Sequence, residues 1–204
     1  MTETEWLECD DSEAMLEFIR PKATKRKLRL FAAACFRRLT HLLSDDRQQT
    51  AIEMLEDSPD ATEFQTGVVA RARVAMHSST DDSHFVGLML YREFMSSMTA
   101  HHATFAARGL AEPREEPREQ CRLLRCIVGP LPFRAATIDP ACRTSPVIAL
   151  AQEIYEEKTF ERLPILADAL EDADCKDAEI LDHCRSPGPH VRGCWVVDVL
   201  LENH

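Results

Sequence analysis

KRKLRLFAAACFRRLTHLL, residues 25 to 43, is the stretch from which the architecture can be read. Leu28, Phe31, Ala32, Cys35, Leu39 and Leu42 recur every three or four residues, which places them on one face of an α-helix. Lys25, Arg26, Arg29 and Arg37 lie on the flank of that stripe and form a basic face. Thr24, directly before it, is a natural N-cap. A stripe this continuous must be covered by other apolar surfaces, so the helix is predicted to be central to the core.

The same period continues on both sides. Asp10 followed by Glu13 reads as a helix start, with Met15, Phe18 and Ile19 as its apolar face and Pro21 as its stop. C-terminal to the basic helix, further helices are expected from Asp45 or Asp46 through Leu55, from 62 to 77, and from 83 to 107. EPREEPREQ (112 to 120) has the composition of a linker, and a helix then carries Leu123, Leu124 and Ile127. GPLPF and the Asp139–Pro140 pair mark an irregular connection of about 16 residues. Beyond it the helical pattern resumes, through Val147 and Ile154, Leu163 and Leu170, Ile180 and Leu181, and then Trp195 and Leu200. Strand signatures are nearly missing. The expected fold is all-α, an irregular multi-helix bundle or short helical array of about eight to nine helices. Its parts would be an N-terminal bundle (1–111), a crossover (112–144) and a C-terminal subdomain (145–204) packed into one cooperative unit.

Composition narrows the function classes. The 204 residues are 45% apolar with a net charge of −11, values of a globular chain, and no apolar run reaches the roughly 20 residues of a membrane span. The first 19 residues hold seven acids and no Lys or Arg, which argues against a secretory signal and for a cytoplasmic protein in which most of the eight cysteines are free and buried. Charge is segregated: residues 1–19 carry −7, residues 20–38 carry +8 and residues 39–60 carry −5. Basic side chains between two acidic segments are expected to pair with them, making nucleic acid an unlikely partner; a phosphate-binding face on 20–38 is the weaker alternative.

EWL (5–7) with MLEFIRPKATKRKLRLFAAACFRR (15–38), and FERLPILADALEDADC (160–175) with HCRSPGPHVRGCWVVDVLL (183–201), resemble a family of planctomycete-type bacterial proteins that occur as many paralogues. The resemblance spans both ends of the chain and implies a small soluble protein; it brings no activity, cofactor or catalytic residue. The chain departs from that pattern at Cys142, where relatives tend to place Trp, and at Leu201–Glu202, where a Gly-containing tail is common.

Cys175, His183, Cys184, His190 and Cys194 form the densest group of residues with chemical potential, since thiolates and imidazoles are the ligands of tetrahedral zinc. Their spacing is looser than that of a compact zinc module, and buried thiols beside hydrogen-bonded histidines are the simpler expectation, with no cofactor. SPGPH (186–190) feeds the last helix, so His190 and Arg192 could hold an anion at its start; pairing of Arg192 with Asp168, Asp172 or Asp198 is the simpler outcome. Neither a nucleophile elbow, a P-loop nor an H-E-x-x-H helix is present, so no catalytic residue is assigned and enzymatic activity is not expected. The readings rank as a non-enzymatic helical module that binds another protein, then a metal-binding or thiol-dependent protein using Cys175 to Cys194, then anion or nucleic-acid binding through 20–38.

Overall fold

The computed structural model describes residues 1–38, 116–130 and 133–203, with positions 40, 49, 52, 53, 56 and 57 between them. The described residues hold eight α-helices and no strand, the all-α class that the periodicity predicts. The helices expected at 62–77 and 83–107 lie outside them, and positions 49, 52 and 53 of the one expected through Leu55 are helical.

α1 (Glu3–Glu8) buries Trp6 and has no counterpart among the expected helices. α2 (Ser12–Ile19) starts where Asp11 accepts hydrogen bonds from the backbone N–H groups of Glu13 and Ala14, one residue later than Asp10. α3 (Lys25–Arg37) is capped by Thr24 as expected. It ends earlier than residue 43, and Thr40 Oγ1 donates to the Arg37 carbonyl at 2.8 Å, satisfying one of the acceptors that a helix end leaves open. α3 is also covered more completely than one stripe requires. Arg26 and Lys27 are 4% and 8% exposed while Leu28 is half-buried, and the seven consecutive residues Leu30–Phe36 are all buried, so more than one face of the helix is covered.

α4 (Glu116–Val128) begins inside the stretch with linker composition. Pro117 sits in its first turn, where the missing N–H costs nothing, so the proline starts the helix instead of breaking it. The chain divides within this helix into two compact units, one comprising Met1 and Glu3–Cys121 and the other Thr2 and Arg122–His204.

In the first unit a buried polar chain links distant segments. Ser12 Oγ donates to Gln120 Oε1 (2.8 Å), Gln120 Nε2 donates to Glu116 Oε1 (3.1 Å), and Arg38 Nε donates to Glu116 Oε2 (2.9 Å). Glu116 is 1% exposed, so its carboxylate depends on these donors.

The second unit continues with a 3₁₀ turn at Pro140–Cys142, α5 (Ser145–Glu157), a second 3₁₀ turn at Phe160–Arg162, α6 (Leu163–Asp172), α7 (Ala178–Arg185) and α8 (Trp195–Leu201). Val147, Ala151 and Ile154 line one face of α5, and Leu163, Leu166, Ala167 and Leu170 line one face of α6. α6 packs on both α7 and α5, while α8 closes the layer against α5. At the end of α7, Arg185 bonds to Asp168 and Glu171 of α6, an exposed clamp that contributes less than the apolar seam beneath it. Among the described residues no helix is long and apolar enough to cross a membrane.

Removing the centre of the buried polar chain should cost more than removing its end. Gln120→Ala leaves both Ser12 Oγ and Glu116 short of a partner and is expected to destabilise by about 2 kcal/mol, against about 1 for Ser12→Ala. Urea unfolding of the two variants beside the parent chain measures the difference.

Candidate metal centre

α7 ends at Arg185, so His183 lies in its last turn, and adjacent helical residues point about 100° apart. Cys184 therefore faces inward and is fully buried, while His183 faces the segment that leads into α8. After α7 the chain passes through Ser186–Pro189 to His190, turns at Val191–Gly193, where Cys194 N–H donates to the Val191 carbonyl (2.9 Å), and enters α8 at Trp195. This hairpin brings His183, His190 and Cys194 together. Cys126 joins them from α4, 57 positions before His183.

The ligand atoms of Cys126, His183, His190 and Cys194 all lie within 4.8 Å of one another. His183 Nε2 is 3.3 Å from Cys194 Sγ, and His190 Nδ1 is 3.8 Å from Cys126 Sγ. A tetrahedron with zinc-like bonds to sulfur and nitrogen separates its ligand atoms by about 3.3–3.8 Å. Two edges of the figure are thus already at metal-binding length. The imidazoles meet edge to face, with centroids 4.9 Å apart, and His183 rests on Trp195 at 5.4 Å.

The surroundings hold these groups in place. His190 Nε2 is 3.0 Å from the Ser186 carbonyl oxygen, which can only accept, so this nitrogen carries the proton and donates it. Gly188 has φ +86, and a Cβ there would meet the His190 backbone nitrogen at 3.0 Å and its ring at 3.3 Å; the glycine keeps that space open. Gly129, just past α4, has φ +65 and lies so close to Trp195 that any Cβ would run into the indole.

The electrostatics are those of a site that stabilises thiolate. Burial alone would raise the pKa of Cys194, which is 0% exposed, but contacts from Cys126, His183 and His190 outweigh it and hold the thiol well below its ordinary value. Burial would likewise lower His190, yet Cys194 and the Ser186 carbonyl hold it above its ordinary value. Cys184 shows the opposite regime. Desolvation, reinforced by Cys194 and Cys175, pushes its thiol far up, and it stays a neutral apolar filler.

Three of the five residues singled out in the sequence therefore meet, and two do not. Cys184 belongs to the apolar core, and Cys175 lies with Cys142, whose thiol is pushed up to about 11 by burial and by that neighbour. Cys126 was missed because nothing local distinguishes LLRCIVG from an ordinary core helix. The i, i+4 relation of His190 and Cys194 does not arise from a shared helix, since α8 begins only at Trp195. Of the two residues weighed as an anion site, His190 turns toward the thiols, and the Arg192 guanidinium stacks 4.2 Å over the Tyr155 ring.

The basic face is likewise built into the fold. Arg26 is buried, Arg29 is half-buried, and Arg37 is bound through both Nε (2.9 Å) and a terminal nitrogen (2.7 Å) to the Glu56 carboxylate, leaving Lys25 as the exposed member of the four. Comparison with family models, with curated proteins and with solved structures returned no match to the chain.

Because Gly129 supports Trp195 and Trp195 supports His183, a methyl group at Gly129 should be felt in the cluster. Gly129→Ala is expected to destabilise the second unit by about 2–4 kcal/mol, from backbone strain together with displacement of the indole. In a Trp6→Phe background Trp195 is the remaining tryptophan, so its fluorescence during urea unfolding reads that loss directly.

Proposed function

We propose that this protein is a non-enzymatic helical module whose second unit is organised by a metal ion held between Cys126, His183, His190 and Cys194. The observation that carries the reading is the convergence of four soft ligand atoms, two thiols and two imidazoles, within 4.8 Å. Pairwise thiol–imidazole hydrogen bonds need only two donor atoms to meet, whereas here all four turn to one point, as ligands of a single ion do. Support also comes from connectivity. The ligands come from the C-terminal part of α4, the last turn of α7 and the loop before α8, so one ion would cross-link three segments that share no continuous backbone ladder.

The role is structural. All four positions of a tetrahedron are taken by side chains, and a catalytic metal needs one left open for water or substrate. The sulfurs are also shut away from solvent, with Cys126 2% and Cys194 0% exposed. Binding of another protein remains compatible with this reading: a surface that the ion keeps in shape would be its recognition face.

Metal should therefore act on folding. At a free metal concentration about 1,000 times Kd, binding to the native state adds about 4 kcal/mol, which for a chain of this size corresponds to a rise in Tm of roughly 10 °C. Thermal melts of the full chain with and without a strong chelator, followed by restoration of the ion, check this; melts that coincide would refute it. Cys126→Ser should weaken metal binding by more than about 100-fold, beyond the range typical of outer-shell changes. Cys175→Ser, outside the cluster, should leave one ion per chain.

A further inference from the structure

Resting on the metal-binding reading, the geometry points to zinc(II) as the ion, held in a charge-neutral, closed S2N2 site in which the two histidines use different ring nitrogens: Cys126 Sγ, His183 Nε2, His190 Nδ1 and Cys194 Sγ.

The choice of nitrogens follows from hydrogen bonding. The Ser186 carbonyl, 3.0 Å from His190 Nε2, requires a proton on that nitrogen, and Ser186 Oγ lies 3.3 Å from the same atom. A neutral imidazole carries one N–H, so the lone pair left for a metal is on Nδ1, the atom that faces Cys126 Sγ. His183 approaches in the other sense, with Nε2 toward Cys194 Sγ at 3.3 Å. A carbonyl that accepts from the distal nitrogen of a ligating histidine is the usual outer-shell support, fixing tautomer and ring orientation together. Ser186 thus acts as a positioning residue through its main chain, and its hydroxyl, donating to the His183 carbonyl at 2.8 Å, ties the loop back to the end of α7.

Charge and geometry select the metal. Two thiolates bring −2 to a place where both sulfurs are shielded from water, and uncompensated charge there is expensive. A divalent ion cancels it, whereas copper(I) leaves −1 and iron(III) leaves +1. Among divalent ions, magnesium and calcium require oxygen ligands, and nickel(II) and copper(II) favour tetragonal arrangements. Zinc(II) has no geometric preference of its own and takes the tetrahedron that four converging side chains impose.

The experiment uses the full chain, expressed in medium containing zinc, iron, nickel, copper and manganese salts, purified without chelator and analysed for metal content and by native mass spectrometry. The expected result is one zinc per chain. Long-range proton–nitrogen NMR of the zinc-loaded protein should show His190 protonated at Nε2 and metal-bound at Nδ1, and His183 the reverse. Replacing zinc with cobalt(II) should produce the visible bands of a tetrahedral thiolate site. Stoichiometric iron, nickel or copper, or zinc bound to Nε2 of His190, overturns this assignment while leaving the metal-binding reading standing. A chain that carries no metal as purified and takes up none when titrated overturns both. These readouts need no variant, so they do not depend on a ligand substitution that fails to fold.

Discussion

A thiol enclosed in an apolar interior resists ionisation, and Cys184 and Cys142 follow that rule. Cys194 does not, although it is the most completely enclosed of the site's residues. The exception has a local cause: His183 Nε2 lies 3.3 Å from its sulfur and the donor atoms of His190 and Cys126 lie within 4.8 Å, so the surroundings are apolar in bulk but polarised at the one point that matters. The rest of the second unit is arranged around this constraint. The α7–α8 hairpin, the glycine at 188, the carbonyl of Ser186 and the Gly129–Trp195 contact each position one member of the group.

The described residues of the first unit solve a related problem with paired charges. Its basic helix would be unstable in an apolar setting if the cations were unmatched, and the fold supplies carboxylates to them. Arg37 meets Glu56, and Arg38 meets Glu116 and, at 3.7 Å, Glu119. The two basic residues at the end of α3 are therefore compensated within the fold. The acids that meet Arg37 and Arg38 are Glu56, Glu116 and Glu119. Charge blocks show that compensation must occur, but the partners depend on which helix ends face one another.

Much of the helical architecture is legible because it depends on short-range rules. Thr24 and the three- and four-residue spacing after it define α3, and Leu163, Leu166 and Leu170 define α6, since a helix needs only its own neighbours to reveal an apolar side. Misreadings occur where a local signal has two meanings. Pro117 breaks a helix in its interior but starts one in its first turn, and the sequence EPREEPREQ does not distinguish the two. Arg26 sits on the basic flank by its spacing, yet it and Lys27 are buried, as is every residue from Leu30 to Phe36 of the same helix.

The sequence alone determined that this chain is built of amphipathic helices, that its charges must be compensated, and that the stretch from Cys175 to Cys194 is rich in metal-binding residue types, because all three follow from residue chemistry and local period. The tertiary structure decided which of those residues meet. Whether Cys126 or Cys184 stands beside His183 is set by how α4 and the α7–α8 hairpin pack and by the direction each side chain takes at its helix position. Such a meeting involves residues up to 68 positions apart, Cys126 and Cys194, and no short-range rule acts over that separation.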